Sequence, residues 1–543
     1  MEKTKRIYLV LLSILSGLLL WLSWPPFKMS FLVFFAFVPI LFVEELISKE
    51  KNRFGASTLL YNTFIAFFVW NLITTYWIYN ASFIGAVMAV LINSLLMSFP
   101  FLLYHKLKTV SKSKISLVFL ITFWIAYEFL HLNWDLAWPW LTLGNVFAAH
   151  PNWVQWYEFT GVFGGSLWIW LTNLVVFSIV KRILESHKTA LASMRLFIRF
   201  GQLLAILLIP ILISIAIPRF ENTKTTHNTV IVQPNIDPYH DKFMQGAFSK
   251  QLDILLELSE RQIDSNTRLL VWPETALSIP FDEKTLNYNA HIARIRKMLE
   301  KYPDLKLISG LDSYRFFEKD EEISATARVY RLDSSYYDSY NAALLLDHTP
   351  TYKVYHKSRL VPGVEKMPYP KFFKFIEKLA LDLGGTSGSL GKQEEPSVFK
   401  INQQITAAPI ICYESIFGDY VGRFVLKGAN LIVVITNDGW WKNTPGYKQH
   451  YLYARLRAIE FRKDVVRSAN TGVSCYINSN GEIIQQSKWW EATVIKQPIE
   501  IGEKVTFYAK MGDYIGRIAA FLSVILILIL ISKSLRKKDI LNS

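Results

Sequence analysis

Cysteine is almost absent from this chain: Cys412 and Cys475 are the only two in 543 residues. Two thiols so far apart make no disulfide framework, and neither stands in a metal-ligand spacing. Nothing in the sequence points to a metal or an organic cofactor. Charge is scarce as well. Charged residues make up 19% of the chain, below the ordinary quarter, while 51% of residues are apolar and 15% aromatic. Both of the latter figures are high for a soluble protein. The scarcity is also uneven, and the chain is too long for one ordinary domain. Residues 1–220 are mostly long apolar runs, residues 221–510 have a mixed globular composition, and residues 511–543 hold a last apolar run and a basic tail.

What is plentiful is positive charge, with 59 Lys and Arg against 44 Asp and Glu. A nucleic-acid footprint would gather these on a soluble face among stacking aromatics. Here they stand between apolar runs, so a nucleic-acid partner is excluded and a membrane is the partner expected. A bilayer core needs about 20 apolar residues per helix. Eight spans are expected, at 7–24, 30–45, 56–79, 81–104, 115–131, 164–181, 199–217 and 514–532. The first is not a signal peptide, because no small-residue cleavage site follows it.

Loop charges orient these spans. With both termini in the cytoplasm, the inside segments hold Lys3, Lys5, Arg6, Lys49, Lys51, Arg53, Lys106, Lys108, Lys112, Lys114, Lys181, Arg182, Lys188, Arg195, Arg199, Lys533, Arg536, Lys537 and Lys538. The short outside loops hold only Lys28. Residues 221–510 are then expected outside the cytoplasm. The segment 131–164 lacks Lys and Arg but carries Trp134, Trp138, Trp140, Trp153 and Trp156. Such a segment suits an aromatic belt at the headgroup level and also a lip for a lipid tail. Glu128 and Asp135 stand at its start, and acids at membrane depth are costly enough to suggest a function.

In residues 221–510, short runs rich in Val and Ile alternate with helical stretches, which argues for an α/β layered domain. Strands are expected at 229–233, 269–272, 305–310, 342–346, 353–356, 408–412, 431–436, 465–468 and 474–477, and helices at 246–264 and 288–301. The run GGTSGSLG at 384–391 reads as a mobile flap.

Three residues stand at or just beyond strand ends: Glu274 in Val-Trp-Pro-Glu, Lys357 in Tyr-His-Lys, and Cys412 in Ile-Cys-Tyr-Glu. A carboxylate, an ammonium and a thiol are the parts of an activated-nucleophile site. The thiolate attacks, a base takes its proton, and a fixed cation stabilises the oxyanion. Singly, each residue type is more often packing or solvated surface. Cys475, inside an apolar strand pattern, reads as packing.

In this order and with these flanks, the three residues resemble the Glu-Lys-Cys triad of the nitrilase superfamily. Seven spans before such a domain and one after it resemble its membrane-embedded branch, the apolipoprotein N-acyltransferases. Trp138-Pro139-Trp140-Leu141, Gly144, Val232-Gln233, Tyr340-Asn341, Leu360-Val361-Pro362, Pro368, Thr436-Asn437-Asp438, His450, Arg455, Arg457, Glu460, Arg467 and Asn470 carry the likeness further. Gly439 and Trp441 depart from it, standing where the family has Ala and Phe.

The resemblance implies a polytopic helical membrane domain joined to an α-β-β-α sandwich. It implies Cys412 as nucleophile, Glu274 as general base and Lys357 as oxyanion stabiliser. Glu365 and Glu414 match further acids of the site, either orienting Lys357 or acting directly, and Tyr413 matches an aromatic beside the nucleophile. The activity implied moves a fatty acyl group from a phospholipid, through a cysteine thioester, to the N-terminal cysteine amine of a diacylated apolipoprotein. The place implied is the bacterial inner membrane, with a periplasmic catalytic domain on a monomeric chain. A membrane-tethered amidase using the same triad is the alternative, and a transporter with an outside domain a more distant one.

Overall fold

The computed structural model describes residues 2–111, 116–185, 190–220, 223–369 and 389–542. Residues 384–388 of the expected flap, and Lys112, Lys114 and Lys188 of the basic segments, lie outside the described residues. The chain divides into two compact units. One comprises Met1–Tyr79, Phe83–Pro218 and Asp513–Ser543, the other Asn80–Ser82 and Arg219–Gly512.

Among the described residues of the first unit the regular elements are all helices. Among the described residues, seven helices are long and apolar enough to cross a membrane: Thr4–Ser23, Ser30–Lys49, Ala56–Asn80, Phe83–Val110, Val162–Glu185, Met194–Ala216 and Tyr514–Leu535. The fifth expected span is a shorter apolar helix, Leu117–Leu132. Apolar runs of this length form helices because only intrahelical bonds satisfy the backbone away from water.

The tryptophan-rich segment is not simply an exposed belt. It winds through short 3-10 turns at Pro139–Leu141, Leu143–Ala149 and Pro151–Trp153, and Trp140, Phe147 and Tyr157 are buried. Glu128 explains part of this. Its Oε1 accepts from the Leu143 N–H at 2.8 Å and from the Trp124 indole at 3.0 Å, so this acid anchors the turn that follows it.

The second unit contains two sheets. The first has the order β14-β1-β2-β4-β6-β5, with β3 beside β4 and β7 beside β6; the second runs β13-β12-β11-β10-β9-β8. Their strands are β1 (Thr223–Gln233), β2 (Thr267–Val271), β3 (Leu277–Asp282), β4 (Lys306–Phe316), β5 (Arg328–Val329), β6 (Tyr336–Leu346) and β7 (Tyr352–His356), then β8 (Phe399–Lys400), β9 (Thr406–Ile411), β10 (Leu431–Thr436), β11 (Val465–Ala469), β12 (Cys475–Ile477), β13 (Ile483–Gln486) and β14 (Thr493–Ile501). β1, β2 and β4 are parallel, as are β9, β10 and β11.

Helices cover both sheets. α1 (Phe248–Glu260) and α2 (Ala290–Leu299) place Leu252, Leu255, Ile292 and Ile295 against Val230, Leu270, Leu307 and Leu344. α3 (Gly418–Leu426) packs on β9 and α4 (Pro445–Phe461) on β11. The two sheets are stitched together by polar contacts. The Tyr476 hydroxyl donates to Thr229 O at 2.6 Å and the Ser468 hydroxyl to Val232 O at 3.0 Å. Gln233 Oε1 accepts from the Ser474 and Ser487 hydroxyls, while its Nε2 donates to Lys488 O and Glu491 O. The result is the four-layer α-β-β-α sandwich that the sequence resemblance implied.

Candidate active site

Glu274 lies three residues beyond β2, in a segment still tied to the neighbouring strand. The Trp272 N–H donates to Ile308 O at 2.9 Å, and the Gly310 N–H to Pro273 O at 3.1 Å. Glycine is required at 310. A Cβ there would stand 2.2 Å from Thr275 N and 2.6 Å from Glu274 Cα, so any side chain would push the carboxylate segment away. Lys357 directly follows β7, where its N–H donates to Asn341 O at 2.9 Å. Cys412 directly follows β9 and takes φ 50. A non-glycine residue holds such a left-handed conformation only where its surroundings impose it.

These three strand ends converge. The Lys357 ammonium, 1% exposed in its side chain, donates to Glu274 Oε1 at 3.1 Å and to Glu365 Oε1 at 2.7 Å. The Asn341 amide spans the same two carboxylates, at 2.8 Å from Glu274 Oε1 and 2.9 Å from Glu365 Oε1. Glu365 Oε2 accepts from the Val361 N–H at 2.8 Å, which fixes the turn after Lys357.

Electrostatics sets the protons. Burial alone would push the Glu274 carboxyl up, but the Lys357 charge and the Asn341 hydrogen bond outweigh it and hold the group below the usual range. Burial also opposes the Lys357 charge. The charges of Glu274 and then Glu365 overcome it and raise the ammonium well above its usual value. At Cys412, burial and then Glu274 push the thiol up, with Lys357 opposing. The resting site is thus a neutral thiol beside an ionised carboxylate and an ammonium. A thiol in that state attacks only as its proton is taken, so a base within reach is essential.

Glu414 and Tyr413 are buried beside the nucleophile. Glu414 Oε1 accepts from the Tyr355 hydroxyl at 2.7 Å and from the N–H groups of Ser358 at 2.7 Å and Arg359 at 3.2 Å; its Oε2 accepts from the Ile411 N–H at 2.9 Å. It therefore ties the loop after Lys357 to the strand end before Cys412. Glu365 makes the salt bridge to Lys357; Glu414 acts on it through the backbone of the next two residues. The Tyr413 ring packs edge-on against Phe417, with centroids 5.2 Å apart. Both cysteines are free thiols, and Cys475 is buried in β12.

Residues 230–503, just over half of the sequence, match the carbon-nitrogen hydrolase family profile. The chain belongs to the carbon-nitrogen hydrolase family. Residues 16–175 match a second profile, the apolipoprotein N-acyltransferase N-terminal domain. Among curated proteins, the chain is 29% identical to an apolipoprotein N-acyltransferase of Chlorobaculum tepidum over 533 residues, covering 95% of this chain and 96% of that one. A Geobacter metallireducens protein of the same name is 27% identical over 521 residues, covering 93% and 91%. Among solved structures, a Nesterenkonia amidase of the nitrilase superfamily aligns with 55% of this chain and 99% of its own at 13% identity and TM-score 0.35. A nitrilase-superfamily protein of Saccharomyces cerevisiae aligns with 51% and 93% at 15% identity and TM-score 0.35.

Two features of the site leave no signal in the sequence. Asn341 has no role legible in the sequence, and in the fold it bridges the two carboxylates. Lys242 carried no signal, being a single lysine in a polar loop. It is buried, and its ammonium donates to the backbone oxygen of Glu274 at 3.0 Å. Burial pulls it down to about 8, against the opposing charges of Glu274 and Asp312. The departure at Gly439 also has a local reason: a Cβ there would stand 2.2 Å from Thr471 Oγ1 and 2.9 Å from Pro238.

Proposed function

We propose that this chain is a membrane acyltransferase that takes a fatty acyl group from a phospholipid onto Cys412 as a thioester, then passes it to the N-terminal cysteine amine of a diacylated apolipoprotein. The observation that carries the reading is one ammonium shared by Glu274 and Glu365 beside the Cys412 thiol, in a chain that also has the acyltransferase N-terminal domain. In the first half-reaction Glu274 takes the thiol proton as sulfur attacks the ester carbonyl. The developing oxyanion is met by the Lys357 ammonium, and the collapse returns the proton to the departing lysophospholipid alkoxide. In the second, the amine attacks the thioester, Glu274 accepts its proton, and the thiol is regenerated.

The same reading places the chain in the bacterial inner membrane with residues 221–510 in the periplasm, on the strength of nineteen basic residues in the inside segments against one in the short outside loops. Incubating the purified full chain with phospholipid alone, followed by intact mass spectrometry, tests the chemistry. An acyl-sized mass gain on Cys412, discharged by a lipoprotein peptide with a free N-terminal amine, is the expected result. No mass gain, or discharge only to free fatty acid with the peptide present, would overturn it.

A further inference from the structure

A second polar chain lies behind the nucleophile, beyond Glu274 and Lys357. The side chains of Asp438 and His450 are both fully buried, with His450 Nδ1 2.9 Å from Asp438 Oδ1. Asp438 is held in turn by Arg467, whose Nη2 donates to Oδ2 at 2.7 Å, and by the Thr436 hydroxyl, which donates to Oδ1 at 2.9 Å. Arg467 Nη2 also lies 3.1 Å from His450 Nδ1, and its Nη1 donates to Val473 O at 2.6 Å. On the other edge of the ring, His450 Nε2 lies 3.2 Å from the backbone oxygen of Cys412 and 3.1 Å from Ser415 Oγ.

Chemistry assigns the proton on that edge. A carbonyl oxygen only accepts, and the single hydroxyl hydrogen of Ser415 is already donated to Cys412 O at 2.7 Å. Nε2 thus faces a carbonyl and Nδ1 faces the Asp438 carboxylate, both pure acceptors, so the ring bonded to both donates from each nitrogen, Nδ1–H to Asp438 Oδ1 and Nε2–H to Cys412 O. The Cys412 carbonyl then receives two donors, Ser415 Oγ–H and His450 Nε2–H. It belongs to the residue whose φ is 50, a conformation that the surroundings have to impose. The Trp441 ring packs edge-on against His450, centroids 5.3 Å apart, and so helps to fix the plane of the imidazole.

We propose that His450 is a positioning residue for the nucleophile: steadied by Asp438, it donates through Nε2–H to the Cys412 carbonyl and holds the left-handed backbone that aims the thiol at its substrate. The inference rests on Cys412 being the nucleophile, as argued above. It assigns His450 no contact with the acyl group and no proton transfer. Its loss slows chemistry without weakening phospholipid binding.

The test compares His450→Leu, His450→Gln and Ser415→Ala with wild-type full chain in detergent. The glutamine amide reaches about as far as Nε2 and restores a donor. His450→Leu is expected to lower the single-turnover rate of Cys412 acylation about a hundredfold, the scale of loss for a displacement on the order of 1 Å at a reacting centre. KM for phospholipid should stay unchanged, and His450→Gln should recover most of the rate. Ser415→Ala leaves one donor in place, so it should cost roughly tenfold or less, again in rate alone. Alkylation of Cys412 by iodoacetamide, followed by mass, reads the same geometry without acyl transfer and should slow in His450→Leu. Acylation and alkylation of His450→Leu within threefold of wild type would overturn the proposal, as would a His450→Gln no better than His450→Leu. Where His450→Leu does not fold, the proposal stands or falls on Ser415→Ala and His450→Gln by the same rate-against-KM criterion. A wild-type enzyme that alkylates normally but never acylates would instead refute the acyl-transfer reading.

Discussion

The ammonium of Lys357 lies closer to Glu365, at 2.7 Å, than to Glu274, at 3.1 Å. One cation is thus shared by two carboxylates, and its pull on Glu274 is diluted by Glu365. Replacing Glu365 with Gln keeps an oxygen for the Val361 N–H and removes the competing charge. Glu274 then holds the cation alone and becomes a weaker base. Acylation of Cys412 should slow by roughly 10- to 100-fold, a fraction of what general-base catalysis is worth, with phospholipid KM little changed. Wild-type single-turnover kinetics in Glu365→Gln would reduce Glu365 to a prop for the turn at Val361.

The pH dependence follows from the same cluster. Glu274 is held below the usual carboxylate range and the Cys412 thiol above the usual thiol range, so neither resting state changes near neutrality. A depressed carboxyl stays ionised to lower pH, so acylation should hold steady through neutral pH and fail only below the ordinary glutamate value of about 4.3. In Lys357→Met the main influence lowering Glu274 is gone and burial prevails. The acid limb should then move up toward neutrality, on top of a large loss in rate. A pH profile of single-turnover acylation measures both, and an unmoved acid limb would count against Glu274 as the base.

Asn341 is the neutral hinge between the two acids. Asn341→Asp would put a third carboxylate around one ammonium, and like charges at this distance cannot all ionise. About a hundredfold loss of turnover at pH 7.5 is expected, partly recovered on acidification as the shared proton is taken up. Loss that is independent of pH would point to simple misfolding of the loop.

The two thiols should separate cleanly. Cys412→Ala removes the nucleophile and should abolish both half-reactions, and Cys412→Ser should keep little activity, because one carboxylate is too weak a base for a hydroxyl. Cys475→Ala should leave turnover within about twofold and lower thermal stability modestly through a small cavity. Mass spectrometry after incubation with phospholipid distinguishes the two.

The sequence was most legible where the strands are most buried. The runs at 269–272, 408–412, 431–436 and 465–468 fall on central parallel strands covered on both faces, which is why Leu269–Val271 and Leu431–Ile435 are unbroken Leu, Ile and Val and why Ile410–Ile411 and Val465–Val466 are aliphatic pairs. The strands that went unread are edge pieces or mixed runs. β5 and β8 have two residues each, β13 is only half buried, and β3 and β14 contain Pro280 and Pro498. At the site, Glu274, Lys357 and Cys412 were legible from residue type, chain order and position at strand ends. The Asp438–His450 pair was not, since a separation of twelve positions gives no hint that a helix returns its histidine to the carbonyl of a cysteine on another strand.

The carboxylate and ammonium ride on one sheet and the thiol on the other, so the distance between them belongs to no single loop. It is set by how two independently hydrogen-bonded layers are held in registry, and Gln233 is one of the few rivets between them. Gln233→Ala would leave each layer's own ladder intact while stranding buried groups at the seam, at a cost of about 1–3 kcal/mol for each group left unpaired. Layers freed to slide by a fraction of an ångström would still melt as a folded protein. Substitutions far from the thiol, along that seam, are therefore expected to read as catalytic defects, with turnover failing at temperatures where circular dichroism still reports native structure.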